Sequence, residues 1–247
     1  MGAVMGSDHQ LALPVQLPDH ARLDNFVPGG GEIGEAHRLL LAHLELISAS
    51  AWAPERQYTY LFGSSGRGKT HLLCALCERC ADQGRSSIYL SLNEFQSAND
   101  VSVLQGLERY DVIALDDIQA VCDQSIWCDA LFALFNRVQD AGTGFMVLAA
   151  DQSITRLPIA LPDLRSRLQW ASPYQLRPLP DTDKVTVLQQ HAQARGLELT
   201  EGVGEFIVQR LSRDLHELMG ALEQLDQASM ARQRRLTLPF VKQVLVI

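Results

Sequence analysis

Leu61-Phe62-Gly63-Ser64-Ser65-Gly66-Arg67-Gly68-Lys69-Thr70-His71 follows an apolar, β-rich run and opens into a stretch whose apolar residues recur at helical spacing. From Gly63 to Thr70 it satisfies GxxxxGK[ST] in full, in the strand, loop and helix setting that the motif requires. Such a loop cradles nucleotide phosphates. Its glycines let successive backbone N–H groups turn toward one anion, Lys69 brings a point charge to the β- and γ-phosphates, and the Thr70 hydroxyl can ligate Mg²⁺. Gly63, Ser64, Ser65, Gly66, Arg67, Gly68, Lys69, Thr70 and the adjoining His71 are therefore the candidate nucleotide contacts. The competing reading is a plain Gly-rich turn.

A phosphate loop needs a second element that orients the metal and activates the attacking water at the end of a neighbouring strand. Tyr110-Asp111-Val112-Ile113-Ala114-Leu115-Asp116-Asp117-Ile118-Gln119 supplies an apolar run ending in two carboxylates. Asp116 would hold the metal's water shell, and Asp117 would polarise a water. A strand followed by an Asp helix cap is the alternative. Phe145-Met146-Val147-Leu148-Ala149-Ala150-Asp151-Gln152 offers Asp151 as a third polar point at the tip of the strand between them, or else an ordinary strand-end turn.

Working outward, strand runs are expected at 58–62, 88–92, 112–115, 145–149 and 174–176, alternating with helical patterns at 36–50, 69–83, 94–106 and 125–140. That alternation predicts a parallel α/β sheet built of right-handed βαβ units. After Pro178-Leu179-Pro180 no strand run recurs. Asp181 is expected to cap a helix reaching about Arg195, and further helices begin near Thr200 or Glu201, Arg213 or Asp214, and Pro239. A small all-helical unit is thus expected at the end. Residues 1–22 sustain no period and read as an extended tail.

The chain has 247 residues, 47% of them apolar, which is ample for a buried core. Its 29 acidic and 21 basic side chains give a net charge of −8, which disfavours a primary duplex-DNA reader and leaves no sequence-specific DNA binding expected. No apolar window reaches membrane-spanning length and no export signal is evident, so a cytoplasmic protein with reduced thiols is expected. Cys74, Cys77 and Cys80 spell CxxCxxC, but on a helix that spacing makes a stripe, so core packing is preferred to a metal set.

From Leu23 to the C-terminus, the chain resembles the AAA+ ATPases of the DnaA clade. Leu23-Asp24-Asn25-Phe26-Val27 with Gly29-Gly30 is similar to the clade's N-terminal nucleotide-contacting segment, which adds Phe26 and Val27 to the site. Leu115-Asp116-Asp117-Ile118-Gln119 is similar to its DDIQ box, and Asp151 falls at sensor 1. Leu164-Arg165-Ser166-Arg167-Leu168, followed by Trp170, looks like the box that carries the arginine finger, which places it on Arg167; a surface Arg is the plainer reading. At the sensor-2 position the clade's arginine is replaced by His216, a weaker and pH-dependent γ-phosphate partner. The resemblance implies an α/β AAA+ P-loop NTPase: residues 1–22 a tail, 23–177 a parallel sheet sandwiched by helices, and 178–247 a small all-α lid domain.

Two differences from the clade's initiator shape the functional expectation. The chain stops at Val246-Ile247 after one lid-like helix, so no duplex-reading module is expected, and the segment from Tyr89 to Asp111 is too short for the initiator's extra helical pair. In the tail, Gln10-Leu11-Ala12-Leu13-Pro14-Val15 resembles the peptide by which replication proteins dock on the DNA polymerase III sliding clamp (beta subunit). Leu13 and Val15 would enter an apolar pocket, with Pro14 stiffening the extended segment, Leu11 among the partner-binding residues and Gln10 anchoring it; a disordered leader is the alternative. Together these imply a regulatory member of the clade that rides on the clamp and carries ADP, or ATP, with Mg²⁺. It would stimulate hydrolysis of DnaA-bound ATP through Arg167 in trans. The same faces permit a homo-oligomer. An autonomous ATPase that remodels or loads a replication factor, and a non-catalytic clamp adaptor, are the rival expectations.

Overall fold

The computed structural model describes residues 21–49, 57–96, 100–211, 214–232 and 235–246. The tail residues Gln10, Leu11, Leu13, Pro14 and Val15, and Arg213 in the lid, lie outside them.

Five strands, β1 (Tyr58–Phe62), β2 (Ser87–Ser91), β3 (Val112–Asp116), β4 (Phe145–Ala150) and β5 (Ser172–Gln175), form one parallel sheet in the order β2-β3-β4-β1-β5. The middle strands are buried on both faces and divide their side chains by the period of two. Tyr60, Ile113, Leu115, Met146 and Leu148 enter one core, while Leu61, Val112, Ala114, Val147 and Ala149 enter the other. Helices α1 (Gly31–Ser48) and α2 (Lys69–Asp82) send side chains into the second core, and α3 (Ser125–Ala141) and α4 (Pro162–Leu168) into the first. Ala114 and Ala149 are small on the α2 side, where Leu72, Leu73, Cys74 and Leu76 of that helix pack. Cys77 and Cys80 are buried on the same helix. Burial pushes the Cys74 and Cys77 thiols up to about 12 and Cys80 to about 11. The CxxCxxC stripe is core packing.

Because every strand points the same way, the C-terminal ends of β1, β3 and β4 lie along one edge of the sheet, where open α/β sheets bind ligands. Phe62 pairs with Ala150 and Leu115 with Leu148, so the chain leaves β1 at Gly63, β3 at Asp117 and β4 at Asp151 side by side.

Beyond the sheet, α5 (Asp181–Ala194), α6 (Glu201–Arg210), α7 (Leu215–Arg232) and α8 (Leu238–Leu245) surround a core of their own, with Leu188, Ala192, Ile207, Leu218, Leu222, Leu225 and Val241 at its centre. No helix among the described residues is long and apolar enough to cross a membrane.

The structure departs from the sequence expectation at the bounds of α1, which begins at Gly31 rather than near Ala36, and of β5, which is Ser172–Gln175 rather than 174–176, and in three further places. The helix expected at 94–106 is replaced by short 3-10 turns at Leu92–Phe95, Val101–Leu104 and, just beyond, Leu107–Arg109. The Asp100 carboxylate accepts a bond from the Ser102 N–H, and Gly106 takes a φ of 75°; both favour a turn over a continuing helix. Asp181 is the first helical residue rather than the cap, and its carboxylate instead accepts a bond from Lys184 Nζ at 2.7 Å. The seven-residue α4 was not resolved as a helix by periodicity, being only two turns long.

Candidate nucleotide site

The loop after β1 turns through Gly66 and Gly68, both at positive φ, before α2 begins at Lys69. A Cβ on Gly68 would lie 2.9 Å from the Phe26 ring, so the bare backbone is what lets the N-terminal segment cover the loop. Lys69 is only 7% exposed, and its Nζ donates to the carbonyls of Gly63 at 2.7 Å and Ser64 at 3.2 Å. Burial pushes its pKa down, opposed by the charges of Asp116, Asp117 and Asp151. Arg67 donates to the Ser64 hydroxyl at 3.1 Å.

Across the sheet edge, Thr70 donates its hydroxyl proton to Asp116 Oδ2 at 2.5 Å, and Tyr89 donates to the same oxygen at 3.2 Å. Asp116 is fully buried. Burial is the first cause that raises its pKa, with the adjacent Asp117 charge adding and the hydrogen bonds opposing. A hydroxyl and a carboxylate converging in this way are hard oxygen donors suited to Mg²⁺, which takes few protein ligands and completes its shell with phosphate and water.

Asp117 follows in the left-handed region, at φ 54°, a conformation uncommon outside glycine. Its two carboxylate oxygens are both engaged, Oδ1 by Gln119 Nε2 at 2.9 Å and Oδ2 by the Ser91 hydroxyl at 3.4 Å. The Gln119 carbonyl in turn accepts the Asp151 N–H at 3.2 Å. Gln119 therefore straps the tip of β3 to the tip of β4. The sequence placed it inside the acidic box but gave it no role.

These residues line an open groove of about 1560 Å³ between the sheet edge and the lid helices, larger than the roughly 300–1000 Å³ of an ordinary small-molecule pocket. Phe26, Val27, Ser64, Ser65, Gly66, Arg67, Gly68, Lys69, Thr70, His71, Asp117, Asp151 and His216 all face it. Gly63 and Asp116 sit just behind, through the bonds already described. Periodicity and motif gave no signal for the ring cluster that the fold assembles at one end. Phe26 meets His37 edge-on at 5.7 Å between centroids and His71 at 6.0 Å, and His71 meets His191 of α5 at 6.0 Å. His37 Nδ1 bonds the Pro28 carbonyl at 2.8 Å and His71 Nε2 the Arg22 carbonyl at 3.1 Å. Burial lowers the pKa of both rings.

Two further contacts tie the lid to this floor. The Gly30 N–H donates to Asp183 Oδ2 of α5 at 3.1 Å. Asp214 caps α7 by accepting the His216 N–H at 2.8 Å, and lies so near Gly66 that a Cβ there would be 2.0 Å from its Oδ1. Arg167, on α4, does not line the groove.

A phosphate loop on one inner strand, paired carboxylates on the strand two places away, a polar tip between them and a helical lid define an AAA+ P-loop nucleotide-binding protein. Comparison with known proteins narrows the class. Residues 17–173 match the family model of the bacterial DnaA ATPase domain, and residues 181–245 match that of the Hda lid domain. An uncharacterized protein of Haemophilus influenzae is 40% identical over 236 residues, covering 96% of this chain and 98% of that protein. Among solved structures, domain III of the Thermotoga maritima replication initiation protein DnaA superposes with a TM-score of 0.77 at 22% identity, covering 93% of this chain and 97% of that one. AMPPCP-bound DnaA from Aquifex aeolicus gives 0.66 at 20% identity over 88% of this chain and 70% of its own. The Thermotoga maritima Holliday-junction branch migration motor RuvB gives 0.67 at 18% identity, over 92% and 72%. The chain belongs to the bacterial DnaA ATPase-domain family, with a lid of the Hda type.

Proposed function

We propose that this protein is a negative regulator of replication initiation, which holds a nucleoside diphosphate, most naturally ADP, with Mg²⁺ at Thr70 and Asp116, and stimulates hydrolysis of ATP on DnaA when docked on the DNA-loaded sliding clamp. The observation that carries the reading is the position of Arg167. It lies outside the groove of its own subunit, where a finger serving a neighbour belongs. An arginine presented to a partner's γ-phosphate can accelerate cleavage by about 10³–10⁵ through stabilisation of developing charge. The Hda-type lid supports the regulatory rather than the initiator role. With His216 in place of a permanent cation, discrimination for triphosphate should be weak, and the bound nucleotide acts through lid angle and assembly more than through turnover. Clamp docking through Gln10, Leu11, Leu13, Pro14 and Val15, a cytoplasmic location and self-association through the same nucleotide and finger faces belong to this reading.

One observation favours a second reading, an autonomous ATPase: Asp117 and Asp151 both face the groove beside Thr70. The deciding measurement is hydrolysis of ATP prebound to DnaA with DNA-loaded clamp present. Wild type should stimulate it, and Arg167→Ala or the joint Gln10→Ala, Leu13→Ala variant should not. Turnover without DnaA and no stimulation with it would favour the autonomous enzyme.

A further inference from the structure

α4 is pinned to the core by Leu164 and Leu168, fully buried or nearly so, which leaves Arg167 and Trp170 on the outer side. Trp170 closes the helix, its N–H donating to the Arg167 carbonyl at 3.0 Å, and the two side chains meet. The guanidinium carbon stands 4.2 Å from the centroid of a Trp170 ring, within stacking distance. A second ring, Phe132 of α3, lies 5.7 Å from the same carbon, and Nη1 donates to Gln139 Oε1 at 2.9 Å. Trp170 itself remains 51% exposed, so its ring is not spent on the core.

We propose that Trp170 is the positioning residue of Arg167, an indole platform that holds the guanidinium in one orientation before a partner's nucleotide arrives. The inference rests on the reading of Arg167 as a finger acting in trans. Stacking engages the π faces of guanidinium and indole, not the in-plane N–H bonds. The platform therefore restrains the long side chain without occupying the donors that would meet phosphate oxygens, whereas an ion pair would consume them. Gln139 takes one donor of five, and does so with a neutral oxygen that a phosphate can displace. Phe132, 5.7 Å from the guanidinium carbon, adds a second ring to its surroundings. Without the platform, the side chain must be ordered at the moment of reaction, and that cost falls on the chemical step rather than on docking.

The test is single-turnover hydrolysis of ATP on DnaA, with DNA-loaded clamp present, titrated with each variant so that maximal rate and half-saturating concentration separate. Trp170→Ala should lower the maximal rate about tenfold while shifting half-saturation by less than about twofold. Trp170→Phe, which keeps a flat face, should recover most of the rate. On an Arg167→Ala background Trp170→Ala should change nothing further. Full maximal rate in Trp170→Ala, or a shift in half-saturation alone, would overturn the inference, the latter by making the ring a docking contact. If Arg167→Ala stimulates like wild type, the finger reading fails first and takes this inference with it. An arm without DnaA checks the geometry directly: the Arg167 Nε–H resonance should carry a ring-current shift that disappears in Trp170→Ala, and its absence in wild type would also overturn the inference.

Discussion

Gly66→Ala is expected to damage the lid as much as the phosphate loop. Gly66 sits at φ 69°, which costs an L-residue about 1–2 kcal/mol. An added methyl would also stand 2.0 Å from Asp214 Oδ1 and 2.9 Å from its Cγ, so the carboxylate must rotate away. That carboxylate accepts the His216 N–H at the start of α7, a cap bond worth about 1 kcal/mol. The single variant should therefore lose about 2–3 kcal/mol, of which roughly 1 is the lid's cap.

A double-mutant cycle in urea unfolding, without nucleotide, separates the parts. Asp214→Ala alone should cost about 1 kcal/mol. Combined with Gly66→Ala it should cost little more than Gly66→Ala alone, because the cap is lost already. The coupling should therefore be about 1 kcal/mol. Strict additivity would refute the claim that the loop and the α7 cap share this space.

Three further outcomes follow from the same geometry. Lys69→Met should weaken nucleotide binding by about 10- to 150-fold, the worth of a charged hydrogen bond, yet change the stability of the nucleotide-free protein by less than about 1 kcal/mol, because it also removes a desolvated charge; calorimetry and thermal melting report the two, and a large stability loss would sink the account. Gln119→Ala cuts the strap between Asp117 and Asp151, and should change intrinsic hydrolysis by about tenfold at unchanged nucleotide affinity, whereas an equal rate would make the strap structural only. For His37, burial holds the folded-state pKa below the ordinary value of about 6.5, so within that window the unfolded chain binds more protons and stability falls as the pH drops below about 6.5. The melting temperature should decline from neutral pH toward pH ~5.5, and His37→Gln should flatten part of that slope; an unaltered slope refutes the assignment.

The sheet was legible because its signals are local. The runs at 58–62, 112–115 and 145–149 are apolar, bounded and joined by short connections, and they reappear as β1, β3 and β4 with at most one residue added at an end. The phosphate loop was legible because backbone conformation and chemistry coincide in eight consecutive residues. By contrast, 94–106 carries enough apolar residues to imitate a helix, yet the bond from Ser102 to Asp100 and the turn at Gly106 prevail, and periodicity does not see either. Gln119, His37 and His191 left no separate trace because each acquires its neighbours only when distant elements meet.

Those long-range meetings also bear on what the nucleotide does here. Phe26 covers Gly68, Gly30 bonds Asp183, and Gly66 abuts Asp214, so the N-terminal segment, the phosphate loop and the lid touch pairwise around a single groove. Because the loop and the lid already touch through Gly66 and Asp214, a ligand that displaces the loop would press on the start of α7. Lys69 Nζ gives two of its three donors to the Gly63 and Ser64 carbonyls of the same loop, so a bound phosphate would compete for them close to the lid contact. A bound nucleotide would thus reach the lid through contacts of the floor itself. The Asp117 carboxylate accepts one bond on each oxygen, from Gln119 and Ser91, and keeps lone pairs for a water in the groove it faces. The same floor therefore serves either proposed reading, a nucleotide-dependent regulator or an autonomous ATPase, and hydrolysis measured without DnaA separates them.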